Sequence, residues 1–275
     1  MFSILQKKLS VIMSVINRFK ANNKRTVDFF RAIPHLFKMF REQADIPVVK
    51  IALLVFCNKF INMIVMFMPL KMLFVLSGAK NISILHEMET SLGREVYIGG
   101  MLVIISILYF FSVVVSIYQI KLVNSQKAKL NKKNYYFKSE VKPKSTIAQT
   151  YPLFCQIVAD FILIGVVLAV LLYVNFYYAL YYLFVVIAYG VIVEQWAFST
   201  HQSKFMSKLG IDSKQFIKIS GVFVFFLSFI GILAVVLNMN IAVIIAVLML
   251  ILVRLANSAL KSFFNCQIKL RIHFT

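Results

Sequence analysis

Acidic residues are scarce in this chain: ten Asp and Glu stand against thirty Lys and Arg in 275 residues. Helix-breaking residues are scarce too, with five prolines and nine glycines, and residues of either charge make up only 15%. A water-soluble domain is about one quarter charged and about half apolar. Here 61% of residues are hydrophobic, more than a folded interior hides, so the surplus calls for lipid. Cys57, Cys155 and Cys266 are too far apart for a zinc motif or a disulfide framework. His35, His86, His201 and His273 are scattered, so neither a metal site nor a cofactor is expected. A Gly-x-x-x-x-Gly-Lys-Ser/Thr phosphate loop is missing, which argues against a built-in ATPase. His-Glu-x-x-His, an Asp-rich magnesium motif and a Ser or Cys nucleophile elbow are missing as well. The chain is therefore not expected to be an enzyme.

Long apolar runs are what the sequence does have. A helix needs about 20 of these residues to cross the hydrocarbon core. Six segments qualify: Ile51 to Ser77, Tyr97 to Ile120, Leu153 to Tyr173, Tyr177 to Phe198, Ile217 to Leu237, and Ile241 to about Leu260. Arg254 cuts the sixth, which predicts that its far end lies among headgroups or beyond. Two links are very short, Val174-Asn175-Phe176 and Asn238-Met239-Asn240. Links of that length make the third and fourth helices neighbours, and likewise the fifth and sixth.

The cations gather on one flank. Residues 1–50 hold ten Lys and Arg, 121–151 hold eight, 199–216 hold three, 254–275 hold four, and Lys218 adds one. Only Lys80 and Arg94 fall on the other flank, so the balance is 26 against two. The positive-inside rule then predicts a multi-pass protein of a cell inner (plasma) membrane with both termini cytoplasmic. A net charge of +20 on a soluble fold would suggest nucleic acid. Basic residues confined between apolar runs point to anionic headgroups instead, and no nucleic-acid partner is expected.

Two amphipathic stretches come first. Phe2, Leu5, Leu9, Ile12, Ile16 and Phe19 recur every three or four residues, opposite Lys7, Lys8 and Arg18. This is the pattern of a helix lying in the membrane surface, and no cleavable signal is expected. Val27 to about Ala44 repeats it with Phe30, Ile33, Phe37 and Phe40, and Pro47 marks the turn into the first span. The expected fold is all-α, with a surface helix over 1–25, a second amphipathic helix over 26–50 and a six-helix transmembrane domain over 51–275. The two stretches read either as plain membrane anchors or, for the first, as a partner-binding helix. The stretch Gln126 to Ser145 reads either as two helical extensions meeting at a turn or as a loop.

Ionisable and amide side chains at membrane depth are costly and mark candidate sites. Asn58, Lys59 and Asn62 lie in the first span, with Asn58 and Asn62 on one helix face. They read as interhelical glue and a snorkelling lysine, or as a polar strip of a substrate path. Asp160 in the third span and Glu194 in the fourth lie at similar heights, and either can pair with Lys59. The carboxylates read as a structural ion pair or as an ion or substrate contact. Trp196, Tyr97, Tyr173, Tyr177 and Tyr178 are expected in the interfacial aromatic belt.

The layout resembles the transmembrane domain of ABC exporters of the six-helix, type-1 class. An amphipathic helix at Val27–Ala44 precedes the first span, and the first external loop is the longest. Met239-Asn240-Ile241-Ala242-Val243-Ile244-Ile245-Ala246, followed by Leu252-Val253-Arg254, is similar to that family's sixth helix. Phe161 to Ala197 is similar in rhythm to its third and fourth. The resemblance covers residues 27–270. It implies a transporter subunit that forms a homodimer and binds a separately encoded ATPase on the cytoplasmic side. The nucleotide-binding domain is lacking, and the cytoplasmic parts of 121–151 and 199–216 read as short. The alternative is a non-transporting scaffold or accessory subunit of a larger inner-membrane assembly.

Overall fold

The computed structural model describes residues 44–76, 93–132, 147–197, 210–239 and 243–274, together with 33, 34, 36–38, 40 and 41. The predicted surface helix over 1–25 lies outside the described residues. Six long helices carry the described chain: α1 (Val48–Leu76), α2 (Arg94–Lys132), α3 (Ile147–Val174), α4 (Phe176–Ala197), α5 (Ser213–Met239) and α6 (Val243–Phe274). All six are long and apolar enough to cross a membrane. The backbone is helical because lipid offers no hydrogen-bond partner, so each N–H must find its carbonyl four residues back. Pro69 in α1 and Pro152 in α3 each remove one such bond.

Two helices run well past the predicted spans. At about 1.5 Å per residue, 39 residues of α2 measure about 58 Å, twice the hydrocarbon thickness. Gln126 to Lys132, open between helix and loop on sequence, continues α2, whereas 133–146 lie outside the described residues. The apolar run of α6 fades near Leu260, yet the helix continues to Phe274. Arg254 is an interior residue of α6, and the helix runs fourteen residues past the predicted end near Leu260. Water-exposed helix needs no apolar run, so hydropathy detected only the lipid-crossing part.

α3 and α6 form the centre and share the most extensive contact. α1 packs on α2 and α3, and α5 packs on α4 and α6. The α3–α4 and α5–α6 pairs are neighbours, as their short links require. Asn175 accepts the Tyr178 N–H on Oδ1 at 2.9 Å and so caps α4. Its amide also reaches Met239 Sδ at 3.2 Å, which brings the two hairpin tips together at one end of the bundle. At the opposite end, Asp212 takes the Ser213 N–H at 2.7 Å, and Gln215 returns to the Asp212 N–H at 3.1 Å. Gln215, the third residue of α5, thus supplies one half of a capping box, and Asp212 satisfies the first N–H of the helix.

The second amphipathic stretch docks on protein. Its residues 33, 34, 36–38, 40 and 41 are helical. Leu36 and Phe40 are buried in the core with Val48, Ile51 and Tyr151. The Phe40 ring lies 5.4 Å from Tyr151 and 5.3 Å from Phe154. Tyr151 donates to the Ile46 carbonyl at 2.8 Å, which fixes the turn into α1. A simple lipid anchor is thus corrected for Phe40: its ring faces α3. α1 begins right after Pro47, as the sequence implies.

Candidate functional site

Of the two carboxylates that Lys59 can reach on sequence grounds, the fold selects Asp160. Lys59 Nζ pairs with Asp160 Oδ1 between α1 and α3. Gln156, one turn before Asp160, donates from Nε2 to both carboxylate oxygens at 3.2 Å. Its Nε2 also lies 3.3 Å from Ser262 Oγ on α6. Asp160 is fully buried and the Lys59 side chain is 28% exposed. The pair thus sits where α1, α3 and α6 converge, and its lysine end stays open. A carboxylate at this depth needs such partners, because hydrocarbon solvates no ion.

A second polar cluster lies on another face of α1, against α2. Asn58 and Asn62 are one turn apart, with Asn62 Nδ2 donating to Asn58 Oδ1 at 3.4 Å. Ser112 of α2 donates to Asn62 Oδ1 at 2.7 Å and lies 3.2 Å from Asn58 Oδ1. Ser116 adds a bond to Asn58 Oδ1 at 3.1 Å. Four small polar side chains thereby clasp α1 to α2 in a region without apolar selectivity. Lys59 belongs to the α3 face, so the three neighbours Asn58, Lys59 and Asn62 do not form one strip.

Glu194 is buried near the end of α4, three residues before Ala197. Lys59, the cation that the sequence allows it as a partner, pairs with Asp160.

Sequence reasoning missed a ladder of tyrosines on α4. Tyr178 donates to the Ser228 carbonyl at 3.2 Å, Tyr181 to the Leu227 carbonyl at 3.0 Å and Tyr189 to the Ile217 carbonyl at 3.2 Å. Tyr182 reaches across to Asn257 Oδ1 on α6 at 3.2 Å. Tyr178, Tyr182 and Tyr189, with Val185 between the last two, recur at three and four residues, which was the available signal. Two belt assignments are corrected. Tyr178 and Tyr97 are buried in protein, whereas Tyr173 is 94% exposed and Tyr177 is also outward. Trp196 is partly exposed and stacks on Phe216 at 5.7 Å.

Glycine allows two close approaches on α5. A methyl group at Gly231 would fall 2.3 Å from Tyr181 Cε1, and one at Gly221 would fall 2.1 Å from Lys261 Cε. Tyr181 and the Lys261 stem therefore lie directly on the α5 backbone. Among the described residues no cluster of His, Cys, Asp and Glu could hold a metal ion.

Set against known proteins, the chain matches no family model, no curated protein and no solved structure.

Proposed function

We propose that the chain is the membrane-spanning subunit of a transporter driven by an ATPase on a separate polypeptide. The observation that carries this reading is the Lys59–Asp160 pair with Gln156 and Ser262 inside three apolar helices. Charges at membrane depth most often mark a path for solute or ion, and an open lysine end gives that path an entry. The overhangs of α2 to Lys132 and α6 to Phe274 supply a docking surface for a motor outside the lipid. The gathered cations favour the cytoplasmic side of an inner (plasma) membrane for that surface, with both termini on the same side. A homodimer fits the resemblance to ABC exporters.

The test is purification of the tagged chain in mild detergent from its native membrane. The expected result is a stoichiometric ATPase subunit and measurable ATP hydrolysis, with hydrolysis reduced several-fold in Lys59→Met. Recovery without any ATPase would instead favour a non-transporting scaffold.

A further inference from the structure

α6 carries a polar arc that touches the ion-pair site at Ser262 alone and is otherwise used by neither that pair nor the tyrosine ladder. Arg254, Ser258, Lys261, Ser262, Asn265 and Lys269 fall within about 100° of its circumference, at about 3.6 residues per turn. Arg254, Ser258 and Lys269 are exposed, and the other three are partly exposed. Among the described residues, none of the three cations has an ion-pair partner. Asn265 Oδ1 is buried without a hydrogen bond. Toward the hairpin tips the same arc turns apolar, with Val247 and Ile251.

Depth makes the Arg254 end of this arc incompatible with lipid, whereas Lys269 lies about 39 Å past Val243, beyond the core. Arg254 lies eleven residues after Val243, about 16 Å along the helix, close to the middle of a hydrocarbon core of about 30 Å. An arginine stem does not span that rise to the headgroups. Charges at such depth face a protein interior or a water-filled cavity. A dry contact with a second copy about a two-fold axis would bring the same cations together in a low dielectric, which disfavours it.

The cationic arc continues onto α5. The Lys261 stem lies on Gly221 of α5, and Lys218, one turn earlier on α5, is exposed without an ion-pair partner among the described residues. These two lysines adjoin on the half of the bundle away from Asn175 and Met239. On the inner flank, Ser262 joins Gln156 and so the Lys59–Asp160 pair.

We infer that this arc of α6 lines a water-filled, cation-walled vestibule that ends at Arg254 and admits an anionic solute bearing phosphate or carboxylate. The inference rests on the transport reading for the solute's passage, but the vestibule is measurable on its own.

Single cysteines at Ser258, Asn265 and the lipid-facing Phe223 are introduced into the full chain in membrane vesicles, with the parent chain as background. Each is treated with an anionic and a cationic methanethiosulfonate. S258C and N265C are expected to react while F223C stays silent. The anionic reagent should be favoured at least about tenfold relative to a free thiol, as a cation-lined cleft concentrates counter-ions. Adding Arg254→Gln to S258C should erase most of that preference, and Lys261→Gln serves the same purpose if the first double variant does not insert. Silence at both S258C and N265C, or reaction without charge preference, overturns the vestibule. Absence of a copurifying ATPase would overturn only the transport reading.

Discussion

Tyr182 and Asn257, 75 residues apart, meet inside the bundle, where the phenol donates to Asn257 Oδ1 across 3.2 Å. Both are buried, and Asn257 Nδ2 has no hydrogen-bond partner. Tyr182→Phe would therefore leave both ends of the Asn257 amide unsatisfied. The expected loss is about 1–2 kcal/mol, within the range measured for hydrogen bonds between membrane helices. Adding Asn257→Leu should recover most of it. Thermal unfolding of both variants in detergent checks the pair; a Tyr182→Phe protein as stable as the parent would remove the bond from the account.

The Lys59–Asp160 pair predicts a different pattern. Asp160→Asn strands the lysine, and Lys59→Met strands a fully buried carboxylate. Breaking a buried pair costs about 3–5 kcal/mol, and the partial exposure of Lys59 lowers this to about 2–3 kcal/mol for Asp160→Asn. Lys59→Met should be the more damaging single change. The double change Lys59→Met with Asp160→Leu should regain stability but lose transport or coupled ATP hydrolysis. A double variant with full activity would assign the pair to architecture alone.

Glycines on two helices predict opposite signs. Gly231→Ala drives a methyl group into the Tyr181 ring and costs about 1–3 kcal/mol, because an aromatic ring on a packed helix has little room to yield. Tyr181→Leu in the same chain should relieve part of that loss. Gly100 in α2 has no atom within 4 Å of such a methyl group, so Gly100→Ala should stabilise by about 0.5–1 kcal/mol through helix propensity. Melting temperatures of the two alanine variants, compared side by side, decide the matter.

Several features of the fold could be read from residues alone. Each of the six runs is long and apolar enough to demand lipid, and the three-residue links at Asn175 and Met239 fix which helices adjoin. Asp160 stood out because an ionised group in hydrocarbon is costly, and only a few cations lay at its height. Its supporters Gln156 and Ser262 did not stand out, since neutral polar residues carry no comparable penalty. Ser112 and Ser116 escaped notice for the same reason. Tyr178 looked like a belt residue because a helix apolar on all sides does not reveal which side meets protein and which meets lipid. The far end of α2 was undecided because its last turns need only water.

The contact of Asn175 with Met239 has a mechanical consequence. It joins two helical hairpins where each doubles back, and so adds a tie at the tips to the long α3–α6 seam that already holds the hairpins together. Losing that tie, as in Asn175→Ala, would free the tips first and leave the seam in place. Lys218 and Lys261, about five turns or more of helix from the tips, would feel nothing of that change.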